Sequence, residues 1–272
     1  MLMSAAPKMA HSTADAYIYA IGGGRGHGAR GSLIAQALTA QGYTTKLWRG
    51  LTPPSFAQRQ NKGAVLVVDT FAKGWQGELS SQLFQHFEKC ILVSRYTRYR
   101  DWSWVNRHYD QVLFPYCGIS QEWRADELRE LNVPSQYCGL MVRKLKVAVS
   151  DDICVLTLLD PEKRLTRSST TQLTEVARNN GFQLRTVHHF GNYLKLGVKT
   201  LVIGAGYNLF YELLLSSADA RFLPVNKRYD DQARRCQNWQ LGIGNWDALQ
   251  QWLRATSRTE KASGIARYNG EL

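Results

Sequence analysis

Thr200-Leu-Val-Ile-Gly204-Ala-Gly206-Tyr207-Asn208-Leu-Phe-Tyr-Glu212 is the stretch on which the fold turns. Thr200 to Ile203 is a short apolar run of the kind that forms a buried strand. Two glycines supply a turn, and an apolar helical run carrying one carboxylate follows. Strand, glycine turn and helix start is the repeating unit of parallel α/β proteins. It also holds anions, because the free N–H groups of the first helical turn and the helix dipole point at the same place. Downstream, Phe222 to Val225 reads as another short strand. Arg228-Tyr-Asp230-Asp231-Gln232-Ala-Arg-Arg235 then opens a helix with paired acids and a glutamine. These are the elements a nucleotide-sugar site needs. As such a site, Gly204, Gly206, Tyr207 and Asn208 are expected to offer bonds to phosphate and Glu212 to take a ribose hydroxyl. Arg228 would neutralise diphosphate charge, and Asp231 and Gln232 would take sugar hydroxyls. The structural alternatives are a solvated Glu212 and an exposed helix in which Asp230 or Asp231 pairs with Arg234 or Arg235.

Working outward, the same alternation recurs. Strands are expected at 17–21, 44–48, 64–68, 90–94 and 111–114, with a glycine-rich loop over 22–31 and helices from about 33 and over about 79–89. After Arg143 the pattern restarts. Strands are expected at 153–158, 183–187, 201–203 and 222–225, and helices over about 169–180, 207–217, 230–238 and 246–256. The last helix has Asn245 as its cap and Trp246, Leu249 and Trp252 as its apolar stripe. The fold class is therefore α/β: two Rossmann-like domains with parallel sheets facing across a cleft, meeting near 143–150. Residues 1–15 and 257–272 read as flexible tails.

A chain of 272 residues with 44% hydrophobic content has room for two packed domains. The formal net charge is +12; 17 of the 34 basic residues fall in 1–145 and 17 after it, so no basic tail explains the excess. Such a surface suits an anionic partner (a nucleotide diphosphate, acidic lipid headgroups or nucleic acid) and equally serves solubility. The five cysteines are widely spaced with no Cys-x-x-Cys pair, which points to free thiols in a reducing compartment rather than zinc or disulfides. The first fifteen residues lack a signal-peptide core, and no run reaches membrane-spanning length. The expected location is cytoplasmic, with any membrane contact peripheral.

Gly22-Gly23-Gly24-Arg25-Gly26-His27-Gly28 follows the first strand. A histidine on a glycine loop at a helix start is a candidate general base, kept neutral by the dipole; the alternative is a surface histidine. Asp69 ends the third strand at the carboxyl edge, where α/β ligands bind. It either orients His27 or an acceptor, or caps the turn that follows. Gly26-x-Gly28-x-x-Gly31 is formally a dinucleotide fingerprint, but it starts late, and Arg49 stands where an acid should end the second strand. Arg95, Arg98 and Arg100 interleave with aromatics up to Trp102 and Trp104. That patch either binds an acceptor or packs its tryptophans inward.

With these residues the chain resembles the two-Rossmann-domain glycosyltransferases of the MurG type, the family 28 group with the GT-B fold. In that family the first loop reads Gly-Gly-Thr-Gly-Gly-His, matched by Gly22 to His27. A glycine turn and a helix with a ribose-binding Glu match Gly204 to Glu212, and a donor-sugar Asp-Gln matches Asp231-Gln232. The resemblance implies an N-terminal acceptor domain over 16–145, with Gly23, Gly24, Arg25, Gly26 and Gly28 as an acceptor or phosphate loop. It implies a C-terminal nucleotide-sugar domain over 146–256. It further implies metal-independent transfer from a uridine-linked sugar, with His27 and Asp69 catalytic and no cofactor beyond the nucleotide sugar. Family members run longer than this chain. Where they carry a second glycine-rich loop, this sequence reads Thr157-Leu-Leu-Asp160-Pro-Glu-Lys-Arg164. That difference keeps two alternatives open: a nucleotide-sugar hydrolase, as in the PseG-like branch of the fold, and a non-catalytic module for anions or nucleic acid. Nucleic acid ranks behind a nucleotide sugar as the expected partner, with the acceptor and oligomeric state undefined.

Overall fold

The structure, a computed structural model, describes residues 15–22, 25–48, 63–98, 100–116, 122–150, 152, 154–189, 191 and 193–255. The expected tails, except for Asp15, which opens the first strand, lie outside them, as do Gly23, Gly24, Arg49 and Cys117. In chain order the elements begin β1 (Asp15–Tyr19), α1 (Arg25–Ala40), β2 (Thr44–Trp48), β3 (Val65–Asp69), α2 (Ser81–Phe84) and β4 (Lys89–Val93). Next come α3 (Trp102–His108), β5 (Gln111–Phe114), β6 (Ser135–Tyr137), β7 (Lys146–Val149), β8 (Val155–Leu159) and α4 (Arg167–Asn179). The last are β9 (Gln183–Val187), β10 (Tyr193–Leu196), β11 (Lys199–Ile203), α5 (Tyr207–Leu214), β12 (Asp219–Leu223), α6 (Gln232–Asn238) and α7 (Trp246–Arg254).

The chain is a mixed α/β protein whose named strand pairs are all parallel. One sheet runs β2-β1-β3-β4-β5-β6, a second β12-β11-β8-β9, and β10 and β7 form a two-stranded ribbon. Parallel strands need covered faces, so their sequences are continuously apolar. Val65–Asp69 and Lys199–Ile203 are buried at every position. Helix α1 covers one face of the first sheet over Ala16, Ile18, Val65, Val67 and Val93. Helices α4 and α7 cover the second over Leu156, Leu158, Leu201 and Ile203. The remaining core does not stop at residue 145. It runs from Leu66, Leu92 and Phe114 to Val202, Tyr207, Phe210, Tyr211 and Phe222, so the two main sheets share one apolar interior.

Several expectations shift. The presumed glycine loop over 22–31 is helix from Arg25 on, because its glycines serve contact rather than looping. A Cβ on Gly31 would sit 2.7 Å from the Ala20 side chain, and one on Gly26 would sit 3.2 Å from Asn208 Oδ1. The helix expected over 79–89 shrinks to α2, since Lys89 already pairs with Val65 in the sheet. Strands β6, β7 and β10 were not foreseen. They are short and half-exposed, which dilutes the apolar signal. Among the described residues no helix is long and apolar enough to cross a membrane.

Candidate active site

Sheet register builds the site. Tyr19 pairs with Val68, so Asp69 lies level with the point where the chain leaves β1. Helix α1 starts there, and its first turn returns His27 onto that carboxylate. His27 Nδ1 lies 2.7 Å from Asp69 Oδ2. Arg30, one turn further along the same face, clamps Asp69 with both prongs, Nε to Oδ1 at 2.9 Å and Nη2 to Oδ2 at 2.8 Å. The ring of His27 lies over Gly22, where a Cβ would come within 2.3 Å of it, so only glycine fits.

Electrostatics fix the histidine's state. Burial alone would raise the Asp69 acid, but Arg30 and His27 overcome it and hold the group well below the usual carboxylate range. An ionised Asp69 needs a proton on Nδ1, which leaves Nε2 with the lone pair whenever the ring is neutral. Burial pushes the His27 pKa down and the Asp69 hydrogen bond opposes it; the Arg95 and Arg30 charges push it down further. The net direction is downward, so the ring is neutral near pH 7 and Nε2 is available as a base. Of the two readings of Asp69, orientation of His27 is the one the geometry matches.

From the second sheet, β11 leads into Gly204, whose φ of 86° is the left-handed conformation that a glycine supplies at low cost. Gly206 caps α5, with open space where its Cβ would be. Asn208, in the first turn of α5, accepts from Arg30 Nη1 at 2.7 Å and donates to the Gly26 carbonyl at 3.4 Å. The helix starts after β1 and β11 are thus joined side chain to side chain.

Between them lies a cleft of about 420 Å³. Its wall draws on the ends of β1, β3, β4, β8, β11 and β12, all at carboxyl edges. The charged side chains lining it are Arg30, Arg95, Arg164, Lys227 and Arg228 against Glu162 and Asp230. Arg95 is weakly compensated. Its Nε donates to Thr70 Oγ1 at 3.3 Å, and it forms no ion pair among the described residues. Burial and the Arg30 charge press its pKa below the ordinary arginine value. Thr70 holds this place with φ 78°, a rare conformation for a β-branched residue and a form of strain that clusters at functional sites. Phe71, Trp75 and Tyr229 add an aromatic wall. Among the described residues no group of His, Cys, Asp and Glu is arranged to hold a metal.

Other expected site residues go elsewhere. Glu212 is buried and ion-paired with Arg143, Nε to Oε1 at 3.0 Å; it does not line the cleft and is no ribose ligand in this geometry. Four residues past Asn208, its side chain emerges toward the 140s rather than toward the helix start. Asp231 caps α6 by accepting from the Arg234 N–H, and lies 3.6 Å from Arg98. Gln232 does border the cleft, but its Oε1 accepts from Ala205 N at 2.6 Å and Val225 N at 3.1 Å. It fixes the glycine turn and has no acceptor left for a sugar. Arg235 is fully buried; Nε and Nη2 clamp Glu122 at 2.6 and 2.7 Å, and Nη2 also binds Asp230 at 2.8 Å. The 228–235 run is therefore salt-bridged, as the structural alternative has it, but much of it lies inside the protein.

Tyr207 hydrogen-bonds the Pro115 carbonyl and packs under Arg30 at 5.2 Å. Arg228 lines the cleft as expected, over the Tyr229 ring. Gly28 faces open space outside it. Of the arginine–aromatic patch only Arg95 reaches the cleft. Arg100 is exposed and pairs with Glu127, while Trp102 is buried with its Nε1 donating to the Glu127 carbonyl at 2.6 Å, so the inward-packing alternative holds for Trp102. Asp160 turns into its own loop, accepting from Arg164 N and Leu165 N, and so does not oppose an anion.

Arg30 and the aromatic wall were not singled out in the sequence. The spacing His27-x-x-Arg30 puts both on one helix face and was the available signal for Arg30. Compared with family models, with curated proteins and with solved structures, the chain matches none.

Proposed function

We propose that this protein is an enzyme of group transfer from a nucleotide diphosphate sugar, with a compact two-unit architecture of GT-B type. One observation carries the reading. Carboxyl-edge loops of two parallel sheets line a single cleft that holds a neutral, oriented histidine beside an excess of cations. Parallel α/β sheets bind ligands at that edge. Arg95 and Arg228, with the N–H groups at Gly206 to Asn208, suit a diphosphate, and they would stabilise its charge as it leaves. His27 Nε2 would take the proton from the attacking hydroxyl, and Asp69 would stabilise the imidazolium that forms. Arg30 holds the pair in place. No ribose or sugar ligand is assigned, since Glu212 and Gln232 are otherwise engaged.

A hydrolase using the same groups is the second reading. It is favoured by the cleft volume, which corresponds to one drug-sized ligand rather than a donor and a bulky acceptor together. Water would then be the acceptor. The uridine base rests on family resemblance alone, and a peripheral membrane role on the net positive charge alone.

The test is a melting-temperature screen against nucleotide diphosphates and their sugars, followed by product analysis. A ligand at about 100 times its Kd adds about 2.7 kcal/mol to stability and raises Tm by several degrees. The His27→Ala protein should keep the shift and lose turnover. No shift with any nucleotide diphosphate or sugar conjugate rejects the proposal.

A further inference from the structure

Phe71 and Trp75, from the segment after β3, meet Tyr229, from the segment after β12. Ring centroids are 4.9 Å apart for Phe71–Trp75, 5.7 Å for Phe71–Tyr229 and 5.8 Å for Trp75–Tyr229. His27 lies 5.6 Å from Phe71 and extends the row. None of the three rings belongs to the apolar cores among the described residues, yet all line the cleft and remain partly exposed. Aromatic area left outside a core and turned into a charged cleft is the form a stacking surface takes. Thr70 links it to the cation. Its hydroxyl accepts from Arg95 and its backbone leads into Phe71.

Resting on the functional reading above, we propose that Phe71, Trp75 and Tyr229 form a subsite for a ring, so that the ligand is a phosphorylated compound whose flat or apolar ring face stacks beside His27. The ring is either a nucleobase or a sugar presenting its C–H face, both of which stack on aromatic side chains. Inorganic anions fill the cationic part only.

Trp75 gives the test, because its backbone N–H is independently held by Tyr19 Oη at 2.8 Å and truncating the side chain leaves that anchor in place. Binding of inorganic pyrophosphate, UDP and UDP-glucose is measured by calorimetry on the intact chain, for wild type, Trp75→Ala and Trp75→Phe. The expected result is a loss of about 10-fold or more for a ring-bearing ligand in Trp75→Ala, from the usual strength of base–aromatic stacking. Pyrophosphate binding should stay within about twofold, and Trp75→Phe should recover most of the affinity. Equal losses for UDP and UDP-glucose assign the base; a loss confined to UDP-glucose assigns the sugar. Unchanged binding of both, or an equal loss for pyrophosphate, overturns the inference while leaving the functional reading intact. Failure of wild type to bind any of the three, with no shift in the wider nucleotide-sugar screen, overturns both.

Discussion

Arg95 and Arg30 line the same cleft and carry the same charge, yet they should respond to the same substitution with opposite signs. Arg30→Met leaves Asp69, which is fully buried, without its two-pronged partner. Removing one member of such a pair costs about 3–5 kcal/mol. In a protein of this size that corresponds to a fall in Tm of roughly 6–20 °C. Arg95→Met removes a guanidinium that has no ion pair among the described residues, and for which burial and the Arg30 charge outweigh the attraction of Asp230 and Asp69. The methionine retains most of the apolar stem. Tm should stay the same or rise by up to about 4 °C. Ligand affinity should move the other way. Losing a charge-assisted hydrogen bond to phosphate costs about 1.5–3 kcal/mol, roughly a 10- to 150-fold rise in Kd for UDP. Scanning calorimetry gives the first quantity and titration calorimetry the second. The reasoning is refuted if Arg95→Met melts as low as Arg30→Met, or if its UDP affinity lies within twofold of wild type.

Glu122→Gln should be among the most damaging isosteric changes. It removes the charge facing Arg235, which is fully buried and held at 2.6 and 2.7 Å, and urea unfolding should register a loss of about 3–5 kcal/mol. Acidity should also destabilise the protein through His27. Its folded pKa is lowered, so from the ordinary histidine value of about 6.5 down to that folded value the unfolded chain binds more protons. Stability therefore drops as pH falls from 7 to 5, and His27→Gln should flatten the slope. His108, also lowered, persists as a common background. The Asp69 contribution is present above about pH 3.9 and is lost only as pH falls through its depressed value, so it does not blur that window.

The parallel α/β character was legible because buried parallel strands announce themselves: Val65–Asp69 and Lys199–Ile203 are short apolar runs followed by a turn signal. The partnership of His27 and Asp69 was legible because one opens the helix that follows β1 and the other ends β3, and carboxyl edges bring such positions together. What sequence order does not encode is which neighbours stand beside each successive turn of a helix face. Glu212 and Asn208 sit on one helix one turn apart, yet one meets Arg143 and the other Arg30. Gln232 was recognised as a polar group at a helix start. That its oxygen satisfies two backbone N–H groups depends on how β12 approaches the Gly204 turn, a tertiary fact. The aromatic wall escaped notice because Trp75 and Tyr229 are 154 positions apart, and neither lies in a periodic run.

Because Tyr207 and Tyr211 pack against Tyr116, and Arg235 against Glu122, severing the chain near residue 145 would strip both pieces of neighbours they cannot replace. A fragment carrying α5 would present raw aromatic area and an orphaned guanidinium to solvent; its counterpart would expose the matching carboxylate. Neither half should fold as a self-standing building block. Produced together, the two fragments should behave as a split protein, each gaining solubility only by reassociating with the other.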